Sequence, residues 1–133
     1  SAGRPVQPED PRVKYAWMLE LGGLWVGLTH YVPVPERPPN FTIARWIERY
    51  FPERTPDVIV SGDTHREAIV SINGILCVNP GSPTYPHNYD TQYGTIGFLE
   101  IADRQASASV HMITEEGIEP FDWDATPPWK LRR

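Results

Sequence analysis

Residues 61–67 read Ser-Gly-Asp-Thr-His-Arg-Glu, preceded by Asp-Val-Ile-Val and followed by Ala-Ile-Val-Ser-Ile-Asn-Gly-Ile-Leu-Cys-Val-Asn-Pro-Gly-Ser. A β-branched run that breaks at a glycine into Asp63-Thr64-His65 brings a carboxylate and an imidazole to the end of a strand. These are donors for hard and borderline metal ions. A second apolar run, Leu24–Thr29, ends at His30. One Asp and one His make half a metal site at best. Asp63 has a second reading, because its side chain can equally cap a turn through the local backbone. Asn79, Pro80, Gly81 and Ser82 read as a turn that shapes a site, with Gly81 supplying a positive φ and Asn79 a side-chain bond to the backbone.

These residues need elements to hold them. The chain has 133 residues, a length that fits one domain with a real core. Two apolar runs, Lys14–Leu21 and Leu24–Val32, meet at Gly22-Gly23, a pair suited to a primed hairpin turn. Trp17 and Trp25 on these runs are expected in the core. Pro33 to Pro39 form a loop, and Asn40 is the expected N-cap of a helix over 41–51. Ile43, Trp46, Ile47 and Tyr50 recur there at helical spacing. Val58-Ile59-Val60 reads as an interior strand buried on both faces. Asn73-Gly74 joins the strands of a 69–80 hairpin, and Asp103-Arg104 joins two more. The expectation is roughly seven strands and one main helix, an α/β or α+β fold. Residues 1–13 form a Pro-rich arm, 14–114 the domain and 115–133 an irregular tail. His87 and His111 fall outside the motifs and are taken as structural or solvent-facing. Trp123 and Trp129 in the tail must bury against something.

Composition narrows the function. A formal net charge of −5 argues against a nucleic-acid partner held through phosphates. The one cysteine, Cys77, excludes an internal disulfide and suits a reducing compartment. No apolar run approaches the ~20 residues of a membrane span. Cytoplasm is the expected location.

Gly-x-Thr-His at the end of a buried strand, then a hairpin, then Asn-Pro-Gly-Ser, resembles the end of the calcineurin-like metallophosphoesterases. The subgroup is that of the compact phosphodiesterases and the phosphoesterase-like subunit of retromer. Leu24–Tyr31 matches a strand ending in a histidine ligand, with Tyr31 where glycine is usual. The resemblance covers about residues 15–113 and implies the C-terminal half of a layered β-sandwich flanked by helices. It places Asp63 in the slot of the first histidine of Gly-His-Thr-His, and His65 in the second. It implies His30, Asp63 and His65 as ligands of two divalent ions (Mn, Fe, Ni or Zn) that act on a phosphorylated small molecule. The family's first half carries Asp-x-His, Gly-Asp and Gly-Asn, none of which occurs before residue 30, where Asp10 is the sole aspartate. Two functions follow as expectations. One is part of a phosphoesterase, weak alone and completed by a missing N-terminal half or by self-association. The other is a non-catalytic protein-interaction module. A missing strand beside Asp57–Gly62 is expected to leave an unpaired edge.

Overall fold

The computed structural model describes residues 9–87 and 93–124. Eight strands and one helix follow in chain order: β1 Ala16–Leu21, β2 Leu24–Thr29, α1 Ile43–Tyr50, β3 Val58–Val60, β4 Glu67–Ile72, β5 Ile75–Pro80, β6 Thr95–Ala102, β7 Gln105–Thr114 and β8 Gly117–Pro120. They form a five-stranded sheet ordered β1-β2-β3-β5-β4 and a three-stranded sheet ordered β6-β7-β8.

The turns set most of this. Gly22 and Gly23, Asn73 and Gly74, and Asp103 and Arg104 all take positive φ. Each pair closes a two-residue hairpin, with Leu21 opposite Leu24, Ile72 opposite Ile75 and Ala102 opposite Gln105. The residues forced into the left-handed region are the types that tolerate it best, with Arg104 the exception. The chain then crosses through α1, so that β3 runs parallel to both β2 and β5, with Ile59 between Gly27 and Cys77.

Val58 and Ile59 are almost fully buried, because β3 has a neighbour on each edge and a layer on each face. This corrects the expectation of an unpaired edge beside residues 57–62. The terminal strands of that sheet are β1 and β4.

Two layers of core result. On one face Ile43, Phe51, Ile59, Ile75 and Cys77 pack together, with Trp46, Ile47 and Tyr50 of α1 against them. The Phe51 ring fits there because Gly27 has no side chain; a Cβ on it would lie 2.9 Å from Phe51 Cζ. On the other face Val26, Val58 and Val78 meet Leu99, Ile101, Ala106 and Ala108 of the second sheet. The alternation along β6 and β7 turns these residues inward and leaves Phe98 exposed on the outer face.

Three further expectations change. The N-cap is Thr42, whose hydroxyl accepts from Arg45 N, in place of Asn40. The stretch after Thr114 opens with β8, an exposed strand held by pairing to β7, so the irregular tail starts later and the strands number eight. Trp17 and Trp25 are half-buried and covered by Lys14 and Arg54, whose cations lie 4.3 and 4.2 Å from the ring centroids. Trp123 packs edge-on to buried Phe121. Trp129 lies outside the described residues, as do residues 1–8 of the expected arm.

Candidate functional site

Because β2, β3 and β5 are mutually parallel, their C-terminal ends lie on one side of the sheet. His30 follows β2, Ser61–His65 follow β3, and Asn79 stands near the end of β5. This is where open sheets with parallel strands place their sites. The loops are tied together by backbone. Gly62 N donates to His30 O at 3.0 Å, and Ser61 N donates to Val78 O at 3.0 Å. Asn79 acts as the clamp: its Nδ2 donates to Gly62 O (3.0 Å) and Thr64 Oγ1 (3.1 Å), and its Oδ1 accepts from Gly81 N (3.0 Å). Gly81 has φ +80°, and a side chain on it would overlap Thr95 Oγ1. Ser82 Oγ accepts from Thr84 N and Tyr85 N and starts the next loop.

Asp63 and His65 both carry left-handed backbone, at φ 69° and 58°. Such non-glycine conformations cost on the order of 1 kcal/mol each and gather at functional loops. The turn aims Asp63 at His30, and His30 Nε2 lies 2.7 Å from Asp63 Oδ1. Both side chains are about half exposed or more, at 61% and 47%, so the contact adds little stability.

His65 does not join this pair. Its Nδ1 lies 2.7 Å from the Tyr85 carbonyl oxygen, and its ring meets Tyr85 edge-on. The structure thus brings His30 and Asp63 into contact and ties His65 to Tyr85. Among the described residues no group of three or more His, Cys, Asp or Glu side chains is placed to hold an ion. The 83–87 loop holds His65, its ring through Tyr85 O and its backbone through His87 N to His65 O (3.1 Å). Tyr31 turns away to pack edge-on against Trp46.

Two residues beside the site had no motif to mark them. His87 sits next to His65, and burial, with Arg66 and His65 nearby, lowers its pKa. Glu67 is fully buried at the start of β4. Its Oε1 lies 3.0 Å from Thr95 Oγ1, and that hydroxyl is also 2.7 Å from Pro80 O. One hydroxyl proton faces two acceptors, and Glu67 Oε2 has no partner among the described residues. Burial raises the Glu67 pKa; a protonated Glu67 supplies the missing donor. A lone glutamate opening a strand reads in sequence as a solvated charge.

The donor types present, one imidazole and one carboxylate, suit a borderline ion. Their number does not suit a dinuclear centre. The described residues alone do not fit the metal pair that the fold implies.

Residues 8–104 match the calcineurin-like phosphoesterase superfamily domain, and the chain belongs to that superfamily. Its fold is similar to that of Vps29 complexed with Zn from Entamoeba histolytica: TM-score 0.58, 18% identity, 84% of this chain and 61% of that one. Vacuolar protein sorting 29 from Cryptosporidium parvum gives 0.61 and 19%, over 87% and 61%. An uncharacterized protein of Streptococcus pneumoniae, described as a predicted phosphoesterase, gives 0.51 and 20%, over 91% and 64%. The chain thus spans under two thirds of the length of each. No curated protein sequence matches it. No helix among the described residues is long and apolar enough to cross a membrane.

Proposed function

We propose that this chain supplies the C-terminal part of a metal-dependent phosphoesterase that hydrolyses a phosphorylated small molecule, a phosphomonoester or phosphodiester. The observation that carries it is the meeting of His30 Nε2 and Asp63 Oδ1 at the parallel strand ends, in a member of the calcineurin-like superfamily. His65 belongs to the same loop; its Nδ1 beside the Tyr85 carbonyl orients the ring and leaves Nε2 as the nitrogen that would ligate. Enzymes of this class use two divalent ions to polarise the phosphoryl group and generate hydroxide; here Mn, Fe, Ni or Zn suits the donors. The remaining donors would come from outside the described residues, from a missing N-terminal half or another copy. The test uses the protein as its gene encodes it, stripped with chelator and reloaded with each ion, on bis(p-nitrophenyl) phosphate. Metal-dependent hydrolysis that falls at least about 100-fold in His65→Ala supports the reading. Absence of hydrolysis with all four ions contradicts it.

A second reading, a non-catalytic module that binds protein through a phosphoesterase scaffold, is favoured by one observation. His30 Nε2 and Asp63 Oδ1 already engage each other, and His65 Nδ1 the Tyr85 carbonyl. Under that reading His30→Ala and His65→Ala leave function intact, and substitutions on the exposed sheet surfaces do not.

A further inference from the structure

β4 is the last strand of its sheet and pairs only with β5 among the described residues. A groove of about 590 Å³ runs along it, reached by Glu67, Ala68, Ile69, Val70 and Ile72 in turn. Consecutive residues of a strand point to opposite faces, so the groove follows the edge of β4 and not one face of the sheet. One wall comes from the loop after β2, through Val34 and Pro35, and the other from Trp123 beyond β8. The strand carries no lysine or proline of the kind that blunts exposed edges. We propose that this groove binds an extended peptide segment of another protein by strand addition to β4. The peptide runs antiparallel to β4, is apolar at alternate positions, and carries an acidic residue at its C-terminal end.

The occupant follows from three features. An unpaired strand edge offers alternating backbone donors and acceptors, and another strand satisfies them in register while the groove walls take alternate side chains. The charge is set by Arg66, which lines the groove at the start of β4. The ion pairs among the described residues are Arg12 with Asp10, His30 with Asp63 and Arg45 with Glu48, so Arg66 is left without a carboxylate. Of the groove's own two carboxylates, Glu36 accepts from Ile43 N at 2.9 Å and Glu67 is buried, with Oε1 turned to Thr95. In antiparallel pairing the incoming C-terminal end meets Arg66, and an acid there forms a charge-assisted bond. The walls decide against a second copy, since two edges that are each recessed between walls cannot meet. The chain's own residues 125–133, Ala-Thr-Pro-Pro-Trp-Lys-Leu-Arg-Arg, contain two prolines without N–H groups and three cations, a poor match for a strand edge that ends at Arg66.

The probe is a fluorescein-labelled peptide, Thr-Val-Thr-Val-Thr-Val-Asp, matched to the six residues of β4 and titrated by anisotropy against the whole chain. Saturable binding is expected, weakened about tenfold or more by N-methylation of alternate peptide bonds and by Asp to Lys at the probe's last position. Both changes are on the probe, so they hold whatever a protein variant does to folding. Arg66→Glu should reverse the preference between the Asp and Lys probes, with its circular dichroism melt as the folding control. Equal binding of methylated and unmethylated probes overturns the proposal. So does binding seen only after removal of residues 125–133, which would assign the groove to the chain's own tail. Concentration-dependent sedimentation abolished by Arg66→Glu would assign it to a second copy and also overturn it. No phosphoester is present, so the result stands apart from the phosphoesterase reading.

Discussion

Asp63 gives His30 a partner at 2.7 Å, and on the proposed function it stands where the family carries an imidazole. Substituting Asp63→His removes that acceptor, and histidine tolerates the φ of 69°. Affinity for Mn²⁺ or Zn²⁺, read by calorimetry, should rise about tenfold or more; an unchanged affinity would mean this slot never faced a metal. Melting should shift little, because an exposed pair contributes about 0–1 kcal/mol. Glu67 carries the pH dependence. Its folded pKa is raised by burial, so it favours the fold most at low pH, and that contribution is lost as pH rises through the folded value. Glu67→Gln should match the natural chain near pH 4 and exceed it at pH 8 by about 1 kcal/mol in urea unfolding. Identical pH profiles would show that the buried carboxyl does not titrate with folding. The placement of His30 and Asp63 at strand ends was legible in the sequence. The contact of the His65 ring with Tyr85 was not, because that carbonyl lies twenty residues away, on a loop without periodicity.

At the scale of elements, hairpins were readable because two-residue turns need special φ and the dipeptides declare it. Helix α1 was readable from its apolar spacing, but its first residue was not. Asn40 and Thr42 both make good caps, and only the path from Arg37 to Phe41, which bond each other's backbones, selects Thr42. β8 had no signal at all: Gly117–Pro120 is exposed throughout and is a strand by virtue of β7. The packing of α1 on the sheet hinges on Gly27. Gly27→Ala should cost about 1–3 kcal/mol in urea unfolding, since its Cβ would press on the Phe51 ring. Phe51→Leu in the same chain should recover part of that loss, because the two substitutions share one contact. Additive losses would place the strain elsewhere.

For the whole molecule, the second sheet presents an outer face on which Phe98 and Ile118 are 45% and 48% exposed, and β6 is a terminal strand. Helix α1 covers the first sheet alone. We expect this surface to be where the rest of a phosphoesterase, or a second copy, packs, burying more than the ~1,000 Å² of a specific interface. Sequence could not locate it, since the order of strands within a sheet is fixed by pairing and not by composition. The expectation of an open edge had fallen on β3, which is in fact enclosed.

On the proposed function, the described residues hold part of a metal centre, and its other donors lie outside them. Calorimetric titration of Mn²⁺ into the chain, with its mass followed by sedimentation in the same buffer, tests this directly. Binding weaker than about 100 μM is expected, because two exposed donors leave an ion mostly hydrated, on a chain that associates at micromolar concentration. A stable monomer that binds two ions tightly would contradict it.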